Sequence, residues 1–161
     1  MNPPKWDAND ARKRASGRIW IDGAMIRYES SAYEDFQVAA GVVRVVGEFT
    51  NQNGPMTDDW FQVFITPERV LSASVYAEGM DEFMRELRLV LPGLLYFGLQ
   101  NSTDFKSRIL FPPEMAGAPL FTFRDHKPVG LVERLTSLVL PGVDLELTED
   151  VRKRSGNSQP N

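Results

Sequence analysis

Apolar and polar positions alternate with a period of two over several short runs of this chain, and that period predicts strands. RIWIDGAMIRYES, from Arg18 to Ser30, reads as a β-hairpin with Asp22-Gly23 at its tip, because both residue types tolerate positive φ. In that register Ile21 faces Ala24, Ile19 faces Ile26 and Trp20 faces Met25, with Arg18 unfavourably opposite Arg27. Residues 30–41 read as a loop or a short helical turn. VVRVVGEFT (42–50) and DWFQVFIT (59–66) alternate again, with Val43, Val45 and Phe49 on one face of the first and Phe61, Val63 and Ile65 on one face of the second. They predict an antiparallel hairpin with the intervening residues as its loop. VLSASVY, LLYFGLQ, FKSRILF, PLFTF and VDLELT supply further strand candidates.

Two stretches switch to helical spacing. Met80, Phe83, Met84, Leu87 and Leu91 form one stripe of a helix over 80–91, with Asp81 and Glu82 in its first turn and Pro92-Gly93 at its end. Leu131, Val132, Leu135, Leu138 and Val139 predict a second helix over 129–140, closed by Pro141-Gly142. LVLPG stands at both helix ends, at 89–93 and 138–142, as a duplicated strand–helix–strand unit would leave it, or simply as leucine-rich helices stopped by Pro-Gly do. The pattern as a whole predicts a single α+β domain over residues 17–148. Its largely antiparallel sheet of seven to eight strands is packed by the two amphipathic helices. A mobile arm is expected over 1–16 and a disordered tail over 149–161.

Length and composition agree with this reading. The 161 residues suit one domain, and 42% hydrophobic residues suffice for one core. There is no cysteine, so disulfide and thiolate chemistry are excluded. No apolar run suits a signal peptide or a bilayer span, and the expected location is cytoplasmic. Charge is unevenly placed. Residues 1–18 carry a net +3 and residues 148–161 a net +1, which leaves −8 on 19–147 of the chain's −4. Between 28 and 68 stand Glu29, Glu34, Asp35, Glu48, Asp58, Asp59 and Glu68, with Arg44 as the one cation. Such a body repels phosphate backbones and anionic membranes, so neither nucleic acid nor membrane is expected as a partner; a basic protein is.

The stretch 51–60, NQNGPMTDDW, is where binding chemistry would sit. Asn53-Gly54 is a turn dipeptide, but ten residues exceed what a hairpin needs, and long loops often carry function. An EF-hand register with Gly54 at position six puts Phe49 at one and Trp60 at twelve, where oxygen ligands are required, so that site fails. Asn51, Asn53, Asp58, Asp59 and Trp60 remain as interface candidates, with Trp60 as anchor inside an acidic rim. Trp60 equally suits a core tryptophan opening a strand. Catalytic types are scarce. His126 is the only histidine and sits in the charged turn RDHKPVG, and no phosphate-loop, dinucleotide-loop or nucleophile-elbow pattern occurs.

These observations lead to the expectation of a non-enzymatic protein-binding module, inhibitor- or immunity-like toward a basic partner, without catalytic residues, metal or cofactor. One alternative is a small-molecule or lipid-binding domain with a cavity between sheet and helices. Another is a carboxylate- or metal-dependent hydrolase, which would require Glu48, Asp58 and Asp59 to converge.

Overall fold

The computed structural model describes residues 15–51, 58–95, 106–123 and 145–156. Among them the chain forms nine strands and two α-helices: β1 (Arg18–Asp22), β2 (Met25–Glu29), β3 (Phe36–Ala39), β4 (Val45–Thr50), β5 (Trp60–Ile65), β6 (Val70–Ser74), α1 (Met80–Val90), β7 (Lys106–Phe111), β8 (Phe121–Phe123), β9 (Leu145–Leu147) and α2 (Glu149–Ser155). The fold class is α+β in one domain, as the pattern predicts. The expected single sheet of seven to eight strands is corrected to three antiparallel sheets, in the orders β1-β2-β3, β6-β5-β4-β7 and β8-β9.

The division follows from the composition of β4 and β5. Their ladder pairs Val45 with Ile65 and Phe49 with Phe61 on one face, and Val46 with Phe64 on the other. A sheet that is apolar on both faces needs a layer over each. Over the Val46–Phe64 face lie α1 and the inner face of β1–β3, through Phe83, Leu87, Ile19, Ile26, Tyr28 and Phe36. Phe64 meets Phe83 edge-on with ring centroids 5.8 Å apart. Over the opposite face lie β8, β9 and α2, through Phe121, Leu145, Leu147 and Val151, and Phe49 meets Phe121 edge-on at 5.5 Å. Each fully buried side chain of this size stabilises the fold by roughly 1.5–3 kcal/mol before the entropy of ordering is counted.

The β4–β5 register is the one expected. The first hairpin is not. Its two-residue tip is Gly23-Ala24, and the ladder pairs Asp22 with Met25, Ile21 with Ile26, Ile19 with Tyr28 and Arg18 with Glu29. Each strand keeps its expected faces, because both partners slide by one residue. The slide exchanges an Arg18–Arg27 repulsion for Arg18 opposite Glu29 and brings Arg27 to 3.0 Å from Asp22. Gly23 takes the position that needs positive φ, at 62°.

Residues 36–39, read above as loop or helical turn, form β3, which pairs with β2 and is followed by a 3₁₀ turn over Ala40–Val42. The first helix closely follows its expected span. The second, over 129–140, lies outside the described residues, as does the second LVLPG copy. Leu94 and Leu95 are not in a strand, and the rest of LLYFGLQ lies outside. The tail expected to be disordered from residue 149 instead begins with α2. Val151 on this helix is wholly buried against the second core, which supplies the apolar contact that composition alone does not reveal. Of the expected mobile arm, only Ala15 and Ser16 are described, and Ser16 is buried.

Candidate functional site

Of the stretch 51–60 the structure describes Asn51 and Asp58–Trp60, and both ends are fixed. The Asn51 N–H donates to the Asp59 carbonyl at 2.8 Å, which continues the β4–β5 ladder one step beyond Thr50–Trp60, and the Val75 N–H donates to the Trp60 carbonyl at 3.0 Å from the other side. Asn51 is buried. Asn53 lies outside the described residues.

Asp58 and Asp59 point in opposite directions, as neighbours in extended chain do. Asp58 is buried, and its Oδ1 accepts the Ser16 hydroxyl at 3.0 Å. Ser16 is held in turn by the Tyr28 hydroxyl, which donates to its carbonyl at 2.7 Å. Asp58 Oδ2 is buried without a hydrogen-bond partner among the described residues. Burial pushes the Tyr33 phenol well above its ordinary value, and the nearby charge of Asp58 adds to the rise; burial also raises Tyr28. Asp59 is half-buried and faces outward, where its Oδ1 accepts the Tyr76 hydroxyl at 2.6 Å. Tyr76 is 42% exposed.

Trp60 is half-buried, and its indole N–H donates to Glu48 Oε2 at 3.1 Å. Glu48 is only 1% exposed. Its other oxygen accepts Arg108 through Nη2 at 3.0 Å and Nε at 3.3 Å, across the β4–β7 ladder where the two residues are direct partners. Gln62 lies beside this pair and donates to the Gly47 carbonyl at 2.7 Å. A buried carboxylate tolerates the loss of water only with such donors around it.

Of the five interface candidates, Asp59 and Trp60 therefore reach the surface, and Asn51 and Asp58 form the buried footing of the loop. The three carboxylates of the hydrolase alternative have three separate sets of partners: Arg108 with Trp60, Ser16, and Tyr76. Among the described residues no group of three or more His, Cys, Asp or Glu side chains is placed to share a metal ion. His126 lies outside the described residues. The acidic stretch is also less uniform than its sequence. Glu48 and Asp58 are buried, Glu34 pairs with Arg69 at 3.2 Å, and Asp35 accepts the Ser30 N–H at 2.7 Å.

Local pattern singles out neither Ser16, Tyr28 nor Tyr76, and marks Arg108 only as one of the few cations near the aromatic segments. Ser16 and Asp58 are 42 positions apart and Arg108 and Glu48 are 60 apart, so no local pattern could join them. The Glu48–Arg108 pair would have been found from the strand pairing alone.

One cleft bears on the small-molecule alternative. It has a volume of ≈ 620 Å³ and lies between residues 114–119 and α2, with Ile109, Met115 and Pro119 beside the charged Glu114, Lys153 and Arg154. Glu114 and Arg154 pair across it at 3.4 Å. Among the described residues no helix is long and apolar enough to cross a membrane. No family model, curated protein or solved structure matches the chain.

Proposed function

We propose that this chain is a non-enzymatic protein-binding domain whose contact edge is the outward side of the loop base, Asp59, Trp60 and Tyr76, and whose partner is basic. The observation that carries this reading is that two part-exposed rings at one end of the β5–β6 pair are each held by a carboxylate. The Tyr76 hydroxyl is held by Asp59 and the Trp60 indole by Glu48, while both rings keep surface in reach of solvent. Tyrosine and tryptophan dominate interface energetics, and rings already held in place lose little entropy on binding. Exposed Glu29, Glu34, Asp35 and Glu68 supply the long-range attraction for a cationic partner.

The test is affinity capture from the native host lysate with the wild-type chain and an Asp59→Lys, Tyr76→Ala variant first shown to be folded. The expected result is a basic protein held by the wild type, released by added salt and lost by the variant. Equal capture by both chains would overturn the assignment of this edge.

A second reading, a small-molecule-binding domain, is favoured by the cleft beside α2, whose volume lies in the range of ligand pockets, about 300–1,000 Å³. It differs from the expected cavity between sheet and helices, since it opens beside a loop and the last helix. A metabolite thermal-shift screen, repeated with Met115→Trp to fill the cleft, tests it; hits that survive the substitution bind elsewhere.

A further inference from the structure

The outer strands of the two larger sheets are treated differently. The outward backbone groups of an edge strand belong to alternate residues, and they invite another strand unless something covers them. On β1 the outward Ile19 N–H donates to the Glu78 carbonyl at 2.9 Å, and the Glu78 N–H donates to Gly17 at 2.8 Å. On β6 the outward Ser74 N–H donates to the Tyr28 hydroxyl at 3.4 Å. On β7 Ile109 exchanges bonds with Ala118 and Gly117, at 2.8 and 2.9 Å.

Among the described residues each of these three strands receives at least one such bond from another segment, and β3 receives none. The Ala40 N–H donates to the Ala24 carbonyl at 2.8 Å, which sets the phase of the β2–β3 ladder. Val38 and Phe36 then bond inward to β2, and the N–H and C=O groups of Gln37 and Ala39 point away from the sheet. The Ala39 C=O closes the 3₁₀ turn with the Val42 N–H, and among the described residues no bond from another segment reaches the Gln37 N–H and C=O or the Ala39 N–H. We propose that the free edge of β3 accepts an extended basic segment of a partner protein as an added strand.

The charge around the edge selects the occupant. Glu34 and Asp35 immediately precede β3 and are exposed. Arg69 pairs with Glu34 while 47% exposed, an arrangement weak enough for a partner's cation to replace it. A second copy of this chain would bring another net −4 to the same place, which disfavours self-pairing. Val38 is half-buried against the first core, so alternate apolar residues of the added strand extend that core while the others face solvent with Gln37. This inference rests on the basic-partner reading above but names a different surface.

The test uses the full ¹⁵N-labelled chain and the peptide acetyl-(Lys-Val)₃-amide, followed by NMR and amide hydrogen exchange. The expected result is saturable shifts and slowed exchange at Gln37 and Ala39. Glu34→Lys with Asp35→Lys should weaken binding about tenfold, roughly 1.4 kcal/mol for the two reversals together. Gln37→Pro should abolish it, since proline removes an outward N–H that β2 does not use. Should Gln37→Pro fail to fold, the charge-reversed chain, altered only at the surface, still decides. Shifts confined to Asp59, Trp60 and Tyr76 would overturn the β3 assignment and leave the contact edge standing. No saturable shift anywhere would also overturn it. So would protection of Gln37 and Ala39 that rises with protein concentration in the absence of peptide, because the occupant would then be a second copy.

Discussion

On one face of the β4–β5 ladder, Val45, Phe49, Phe61, Val63 and Ile65 run as an unbroken apolar row. On the other, Val46 and Phe64 give way within two residues to Glu48, Gln62, Thr50 and Trp60. Both faces are buried, yet they are buried by different means. The first excludes water by packing alone. The second excludes water up to its midpoint by packing and beyond it by donors arranged around a carboxylate. The difference shows where the sheet stops being only a core and starts to hold side chains in set directions. That transition lies toward the Thr50 end of β4 and the Trp60 end of β5, and the polar half orients Trp60, which stands in the proposed contact edge.

The largest effect is expected on the apolar face. Phe61→Ala should cost about 3–5 kcal/mol in urea unfolding, because the site is enclosed by Phe49, Tyr33 and β9 and cannot collapse fully. A loss below about 1 kcal/mol would show that this face is loosely packed and would break the contrast. Glu48→Ala on the polar half comes next, at roughly 1–3 kcal/mol, since it strands the Trp60 indole N–H while Arg108, 26% exposed, can turn to water. Glu48→Gln should cost less. An Arg108→Ala, Glu48→Ala cycle sharpens the point, for additive losses would mean that the pair is incidental.

Gly47→Ala adds volume on the apolar face. A Cβ there would lie 2.9 Å from the Arg108 carbonyl and 3.0 Å from Leu120, where the β4–β7 register shifts. Overpacking at such a site should cost about 1–3 kcal/mol, read from the thermal midpoint. An unchanged midpoint would mean that the strands separate freely at the bulge.

The smallest effect depends on pH. Tyr33 titrates above its ordinary 10.0 in the folded chain, from burial first and then the charge of Asp58. Its folded pKa is raised, so the stability it confers is complete below the unfolded value and is lost as pH rises through the folded one. Unfolding measured above about pH 10 should therefore show wild-type stability falling with pH, with a shallower fall in Tyr33→Phe. Equal slopes would mean that the phenol is solvated when folded.

Much of the fold was legible because it rests on local periodicity. The alternation of 45–50 and 60–65 set their faces and antiparallel pairing, and the Met80–Leu87 stripe marked α1. The hairpin tip lies one residue from the expected one: Asp22-Gly23 is the better turn in isolation, while the observed register sets Arg18 opposite Glu29 and Arg27 beside Asp22. β3 was missed because four residues with Gln37 at the centre carry too little alternation to stand out. The candidate site was half legible. Asp59 and Trp60 were read as surface candidates from composition, but the inward turn of Asp58 depends on Ser16, and the hold on Trp60 depends on Glu48.

By itself the sequence determined which segments extend, which segment coils, which side chains share a face, and that the body is acidic. These follow from periods of two and 3.6 and from counting charges, which need no neighbours. Tertiary structure alone decided the division into three sheets, the burial of Glu48 and Asp58 and the uncovered edge of β3. It also brought Tyr76 to Asp59. Each of these depends on contacts between residues far apart in the chain, and their free energy comes from water excluded by both partners at once.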